Sequence, residues 1–259
     1  MGRRRARVVG EEGPGGAGSS PGCSRRCSPG RPGPGPAWAV LLAACSLLVG
    51  CVAEEEGPAG GCPDPARQGS DPYPDCVVSF TPAGSATFGH DRLPAVVLGP
   101  PQGGGEAQGG TDVVSLGCGG EIVLAFDGPG IVDRPGPDLL VFENPFRHGS
   151  GAVFVEPGEV AVSRDGQEWT AFPCRPAAAP PDPSGCAGRQ PVLAAPGDGR
   201  DPTSPAEAGG DAFDLRDIGI NKVIFVRITD RTADLYGSSS LYCQGAGAGF
   251  DLDGVAAVE

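Results

Sequence analysis

The side chains of this 259-residue chain that could do chemistry are mostly carboxylates. Asp and Glu number 32 against 19 Lys and Arg, and histidine occurs twice. Hard oxygen donors at this density suit a divalent cation, above all calcium, which takes about six to eight oxygens from carboxylates and backbone carbonyls. Zinc is poorly provided for: His90 and His148 sit in Gly-rich surroundings, and no Cys-x-x-Cys spacing occurs. The same scarcity of histidine argues against a Ser-His-Asp triad. Residues 51–259 contain neither a G-x-S-x-G elbow nor a Walker-type phosphate loop, and Gly103-Gly104-Gly105 lacks the lysine of a phosphate cradle. Carboxylates are numerous enough to supply a glycosidase pair, but no spacing singles one out. Tyr236-Gly237-Ser238-Ser239-Ser240-Leu241-Tyr242 offers two rings on which the CH face of a sugar could stack, or an ordinary loop with Tyr packed at its edges.

The charge is divided along the chain. Residues 1–50 carry seven Arg and two Glu, a net +5, so residues 51–259 carry 12 basic and 30 acidic groups, a net −18. An acidic body repels phosphate backbones, which excludes nucleic acid as the expected partner. The basic leader precedes a 14-residue apolar run, Ala37–Gly50. A bilayer span needs about 20 residues, so the run reads as the apolar region of a signal peptide. Leu48-Val49-Gly50-Cys51 resembles a bacterial lipobox, which implies lipidation of Cys51 and cleavage before it. Leu42-Ala43-Ala44-Cys45 fits the same pattern with a shorter apolar lead. Cleavage before Cys51 leaves an even set of six cysteines, Cys62, Cys76, Cys118, Cys174, Cys186 and Cys243, as an oxidising compartment favours. The expected partner is therefore a membrane, reached through a lipid anchor. Val52 and Ala53 place no Asp behind the lipidated cysteine, which points to the outer membrane or cell surface.

These groups need a scaffold, and 45 Gly with 29 Pro rule out a helical bundle. Residues 51–75 read as a lipidated cysteine and flexible tether. From Cys76 to residue 259 short apolar runs alternate with turn residues. Val77–Phe80, Val96–Leu98, Leu139–Phe142 and Val223–Ile228 read as strands, the third buried on both faces. Val113–Leu116 and Glu121–Phe126 flank Gly117-Cys118-Gly119-Gly120 and read as a hairpin, as do Val160–Ser163 and Trp169–Phe172 around Asp165-Gly166. Phe213–Ile218 could form one helical turn. Phe250–Val258 closes the domain, with Phe250, Leu252 and Val255 inward and Asp251 and Asp253 outward. About eight strands with long Gly/Pro loops make an all-β, antiparallel jelly-roll β-sandwich. The short Pro-rich loop between Cys174 and Cys186 favours a disulfide closing it; the other four cysteines allow three pairings.

Ser163-Arg164-Asp165-Gly166-Gln167-Glu168-Trp169 is similar to the S-x-D-G-x-x-W hairpin of discoidin-type domains, and Val223–Ile228 to the strand that follows it there. Phe250-Asp251-Leu252-Asp253-Gly254-Val255 resembles the closing strand of galactose-binding-like carbohydrate modules. Together with Val114–Ile122, Gly136–Asn144 and Gly209–Leu215, these segments resemble a poorly characterised group of bacterial cell-surface lipoproteins. The resemblance implies a galactose-binding-like jelly roll and non-catalytic binding of a glycan or surface protein. An envelope or extracellular glycan hydrolase, or a subunit of a surface assembly, are the alternatives. It also implies a structural calcium near the closing strand, at Asp253 with Asp251 beside it. Asp138 and Asp211, which open motif segments, are further candidates; the competing role for each Asp is to cap a turn. Aromatic residues are few for such a module. Trp169 is expected in the core, which leaves Tyr236 and Tyr242 as candidate ligand residues.

Overall fold

The computed structural model describes residues 62–64, 71–177 and 184–258, all within the compact unit Glu54–Glu259. The signal segment and Cys51 lie outside the described residues. Among those residues the chain forms fourteen short strands, and no helix is long and apolar enough to cross a membrane. The strands are β1 (Cys76–Thr81), β2 (Val114–Ser115), β3 (Glu121–Ala125), β4 (Ile131–Val132), β5 (Leu139–Phe142), β6 (Phe146–Arg147) and β7 (Val153–Phe154), then β8 (Gly158–Ser163), β9 (Trp169–Ala171), β10 (Asp211–Phe213), β11 (Lys222–Val223), β12 (Phe225–Asp230), β13 (Asp251–Leu252) and β14 (Gly254–Ala257). The one α-helix among the described residues, α1, spans Thr232–Tyr236. The fold is all-β and every strand pair is antiparallel.

Two sheets carry the core. One runs β1-β3-β12-β8-β9 and the other β10-β5-β14. Strand β12 is central because its residues alternate strictly. Val226 and Ile228 are fully buried, while Phe225, Arg227 and Thr229 lie on the other face and are only part-buried. Val226 faces Leu124 and Val162, and Ile228 faces Ile122 and Val160. Such cross-strand apolar pairs are the unit of sheet stability. Leu139, Val141, Phe213 and Val255 of the second sheet join the same core. The opposite face of β5, Leu140 and Phe142, packs with Val192, Ala194, Ala208 and Ala256 in a smaller cluster. Strand β5 is thus buried on both faces, as four consecutive apolar residues predict.

Several expectations are corrected. Residues 113–126 do not form a hairpin: β2 pairs with β13, and β3 pairs with β1 and β12. The tight turn is real, with Gly120 N–H donating to the Gly117 carbonyl, but it redirects the chain instead of returning it. Val96–Leu98 is not a strand; Ala95–Val97 is a 3₁₀ turn with Val96 and Val97 buried. Asp253 does not face outward. It is 3 % exposed, because its carboxylate accepts the Gln102 N–H at 2.9 Å. Trp169 is not in the core: it lies half-buried on the outer face of its sheet, with the Arg227 guanidinium 4.5 Å over its ring. Part of the expected tether belongs to the domain. Tyr73 packs on the smaller cluster, and the Pro72 carbonyl accepts from Ala257 N–H at 2.7 Å.

Three cysteine pairs stand at disulfide distance: Cys62–Cys76, Cys118–Cys243 and Cys174–Cys186. The second joins residues 125 apart, the third residues 12 apart. Loop-closure entropy grows with the logarithm of that separation, giving about 5 and about 3 kcal/mol respectively. We expect Cys118→Ser with Cys243→Ser to lose more stability in urea unfolding than Cys174→Ser with Cys186→Ser; an equal or reversed loss would contradict this ranking.

Candidate functional site

The four aspartates expected as calcium ligands do not converge. Asp138 accepts Arg134 N–H at 2.7 Å and Leu215 N–H at 2.9 Å. Asp211 accepts Arg189 N–H at 2.8 Å and Gln190 N–H at 3.3 Å, and Asp253 accepts Gln102 N–H. These three staple loops to strands through backbone amides, the capping role such residues favour. Asp138 also lies near Asp133 and Asp214, and carboxylate oxygens of the three fall within 4.8 Å of one another. Both Asp138 oxygens are already bonded, and Asp214 caps the 3₁₀ turn Leu215–Ile218 by accepting Arg216 N–H at 2.9 Å.

Asp251 belongs to a different and deeper group. Its carboxylate meets those of Glu143 and Glu156, with oxygens of all three within 4.8 Å of one another. Glu143 follows β5 directly and Glu156 lies between β7 and β8, so strand ends from both sheets deliver the acids to one place. Glu143 is 1 % exposed and Glu156 3 %. Asp251 accepts from Ser115 Oγ and, at 3.2 Å, from Asn144 Nδ2. Glu143 Oε1 accepts Asp251 N–H at 3.3 Å. Glu143 Oε2 is buried, and among the described residues nothing hydrogen-bonds it. Either acidic cluster could hold a metal ion.

The electrostatics follow from burial and crowding. Desolvation, then the charges of Glu156 and Asp251, push Glu143 well above the usual carboxylate range. Desolvation, then Asp251 and Asp230, push Glu156 up to about 9. Desolvation raises Asp251 to about 6 against the hydrogen bonds from Ser115 and Asn144. No arginine or lysine is among the leading influences on any of the three.

Beside this cluster runs a ladder of rings. Tyr236 packs on Tyr242 at 4.2 Å between centroids, Tyr242 on Phe154 at 5.4 Å, Phe154 on Phe146 at 5.3 Å, and Phe146 on His148 at 5.1 Å. Tyr236 is anchored, its hydroxyl donating to the Val155 carbonyl at 3.0 Å. Tyr242 is 40 % exposed and its neighbour Leu241 82 %. The other end of the loop is fixed too: Cys243 pairs with Cys118, and Gly249 N–H donates to the Tyr242 carbonyl at 2.9 Å.

The structure brings Tyr236 and Tyr242 together and places Asp251 in an acidic cluster. It keeps Asp138, Asp211 and Asp253 apart from that cluster. Sequence reasoning missed Glu143, Glu156, Phe146 and Phe154. One signal was available for Glu143. It follows a run buried on both faces, so its side chain starts inside the protein.

Stability of the metal-free protein follows from these shifts. Carboxylates in an unfolded chain titrate near pH 4, roughly. Asp211 and Asp251 at about 6, Asp253 at about 7 and Glu156 at about 9 hold their protons longer when folded. The folded state therefore binds more protons, and stability is lost as pH rises through these values. With chelator present, the urea midpoint should be higher at about pH 5.5 than at about pH 8.5; a midpoint that rises with pH across this window would contradict the assignment.

No family model matches this chain, and no curated protein or solved structure matches it.

Proposed function

We propose that this is an exported, lipid-anchored bacterial surface protein. Its β-sandwich, of the galactose-binding-like kind, binds a glycan or other surface ligand without turning it over, with calcium as a structural ion. The export reading rests on the Ala37–Gly50 apolar run and the lipobox-like Leu48–Cys51. Three disulfide-distance pairs agree with an oxidising compartment.

The observation that carries the binding role is the ring ladder from Tyr236 to His148, with Tyr242, its second ring, exposed. A sugar presents CH groups on one face and hydroxyls at its rim. Rigid aromatic faces recover stacking energy from it at small entropic cost. A catalytic role finds less support. Glu143 and Glu156, which converge beside the rings, are too enclosed to flank a glycosidic bond, which needs a pair open to substrate and water.

The test is a glycan array with the exported domain and its Tyr242→Ala variant. Binding without product release is expected, weakened about tenfold or more in the variant. Turnover abolished by Glu156→Gln would overturn the non-catalytic reading. Mass spectrometry of the membrane fraction should find acylated Cys51 at a new N-terminus; an unmodified peptide running from Gly50 through Cys51 would remove the anchor.

A further inference from the structure

We propose that the calcium ion sits among Glu143, Glu156 and Asp251, with the unbonded Oε2 of Glu143 as its buried ligand. The site deepens the calcium part of the function proposed above and rests on it; it does not depend on the glycan.

Two independent observations converge. One is the convergence itself, three carboxylates from three separate chain segments with oxygens within 4.8 Å of one another. The other is the orphan oxygen. Glu143 is fully enclosed, its Oε1 is bonded to Asp251 N–H, and its Oε2 has no hydrogen-bond partner among the described residues. Buried polar atoms in folded proteins are almost always satisfied, and an exception marks a missing ion or water. The surroundings favour an ion. All the converging groups are carboxyls, and a cation is the counter-charge that lets them ionise together.

Calcium suits the space better than its competitors. All the donors are hard oxygens, which disfavours zinc and copper. Calcium–oxygen distances of about 2.3–2.6 Å let oxygens stand up to roughly 5 Å apart across the ion, and its geometry is tolerant. Magnesium requires about 2.0–2.1 Å and near-octahedral order, and it sheds its water reluctantly, which carboxyls buried as deeply as Glu143 and Glu156 disfavour. The Asp133–Asp138–Asp214 group is the weaker candidate, because both oxygens of its one fully buried member are already bonded to backbone amides.

The ion has a mechanical consequence. Glu143 directly follows β5 of one sheet and Glu156 leads into β8 of the other, so one ion ties the sheets together. Val155, next to Glu156, also holds the Tyr236 hydroxyl.

The experiment uses the exported domain freed of metal with EDTA, then titrated with CaCl2 or MgCl2 by calorimetry and thermal melting. Wild type should bind one calcium here, with Tm rising by about 5–10 °C at 100-fold excess over Kd. Glu143→Gln and Glu156→Gln keep shape and remove charge; circular dichroism should show them folded, with calcium affinity reduced at least a hundredfold. Asp214→Asn should bind as wild type. No calcium binding by folded wild type would sink both the calcium reading and this site. Calcium binding left intact in folded Glu143→Gln and Glu156→Gln, or lost in Asp214→Asn, would overturn this site and leave the calcium reading standing. An equal response to magnesium would overturn the choice of ion.

Discussion

Four hydrogen bonds end on the carboxylate of Asp230. It accepts from Gly119 N–H at 2.8 Å, Phe250 N–H at 2.7 Å, Thr232 N–H at 3.1 Å and Thr232 Oγ at 2.6 Å. Those donors belong to three segments: the turn carrying Cys118, the start of α1, and the approach to β13. The ladders here are short, and several strands have only two residues. Loop amides near the core must still find acceptors, because an unpaired buried N–H is costly. Buried aspartates meet that need, and an ionised acceptor makes the stronger bond. Asp138, Asp211 and Asp253 do for their loops what Asp230 does for its three segments.

The same economy concentrates acid in the interior. Asp230 acts on Glu156 and Asp251 through its charge, so the stapling carboxylate and the three clustered ones form one electrostatic neighbourhood. Most members offset their desolvation with amide or hydroxyl donors; Glu143 does so with only one oxygen. The ring ladder shares this scaffold. Val155 holds Tyr236 while its neighbour Glu156 enters the cluster, and Gly249 holds Tyr242 just before Phe250 reaches Asp230. Closed acid and exposed rings are thus two faces of one packed junction.

What could be read from the sequence was what local pattern controls. The period-2 run in β12, the continuous apolar run of β5 and the Asp-Gly turn between β8 and β9 each identify their strands. The Cys174–Cys186 pair follows from a short loop. The failures share a cause. Gly117–Gly120 does make a turn, but the partner of β2 lies more than 130 residues away, beyond any local signal. Asp251 and Asp253 alternate with apolar residues and so look solvent-facing. Polar residues of distant loops reach them, which no period reveals. Glu143 and Glu156 meet only because β5 and the lead into β8 arrive at the same end of the fold.

The Cys118–Cys243 bridge also sets an order of events. A chain that emerges N-terminus first exposes Cys118 long before its partner exists. During that interval β2 has no β13 to pair with, Asp230 has no Phe250 amide, and β5 lacks its neighbour β14. The inner face of the larger sheet can assemble early, whereas the junction must wait for the final segment. Contacts this distant in sequence close late and slowly. A thiol left waiting that long is open to the wrong partner, and a mispaired bridge has to be reshuffled by thiol–disulfide exchange before the junction can close.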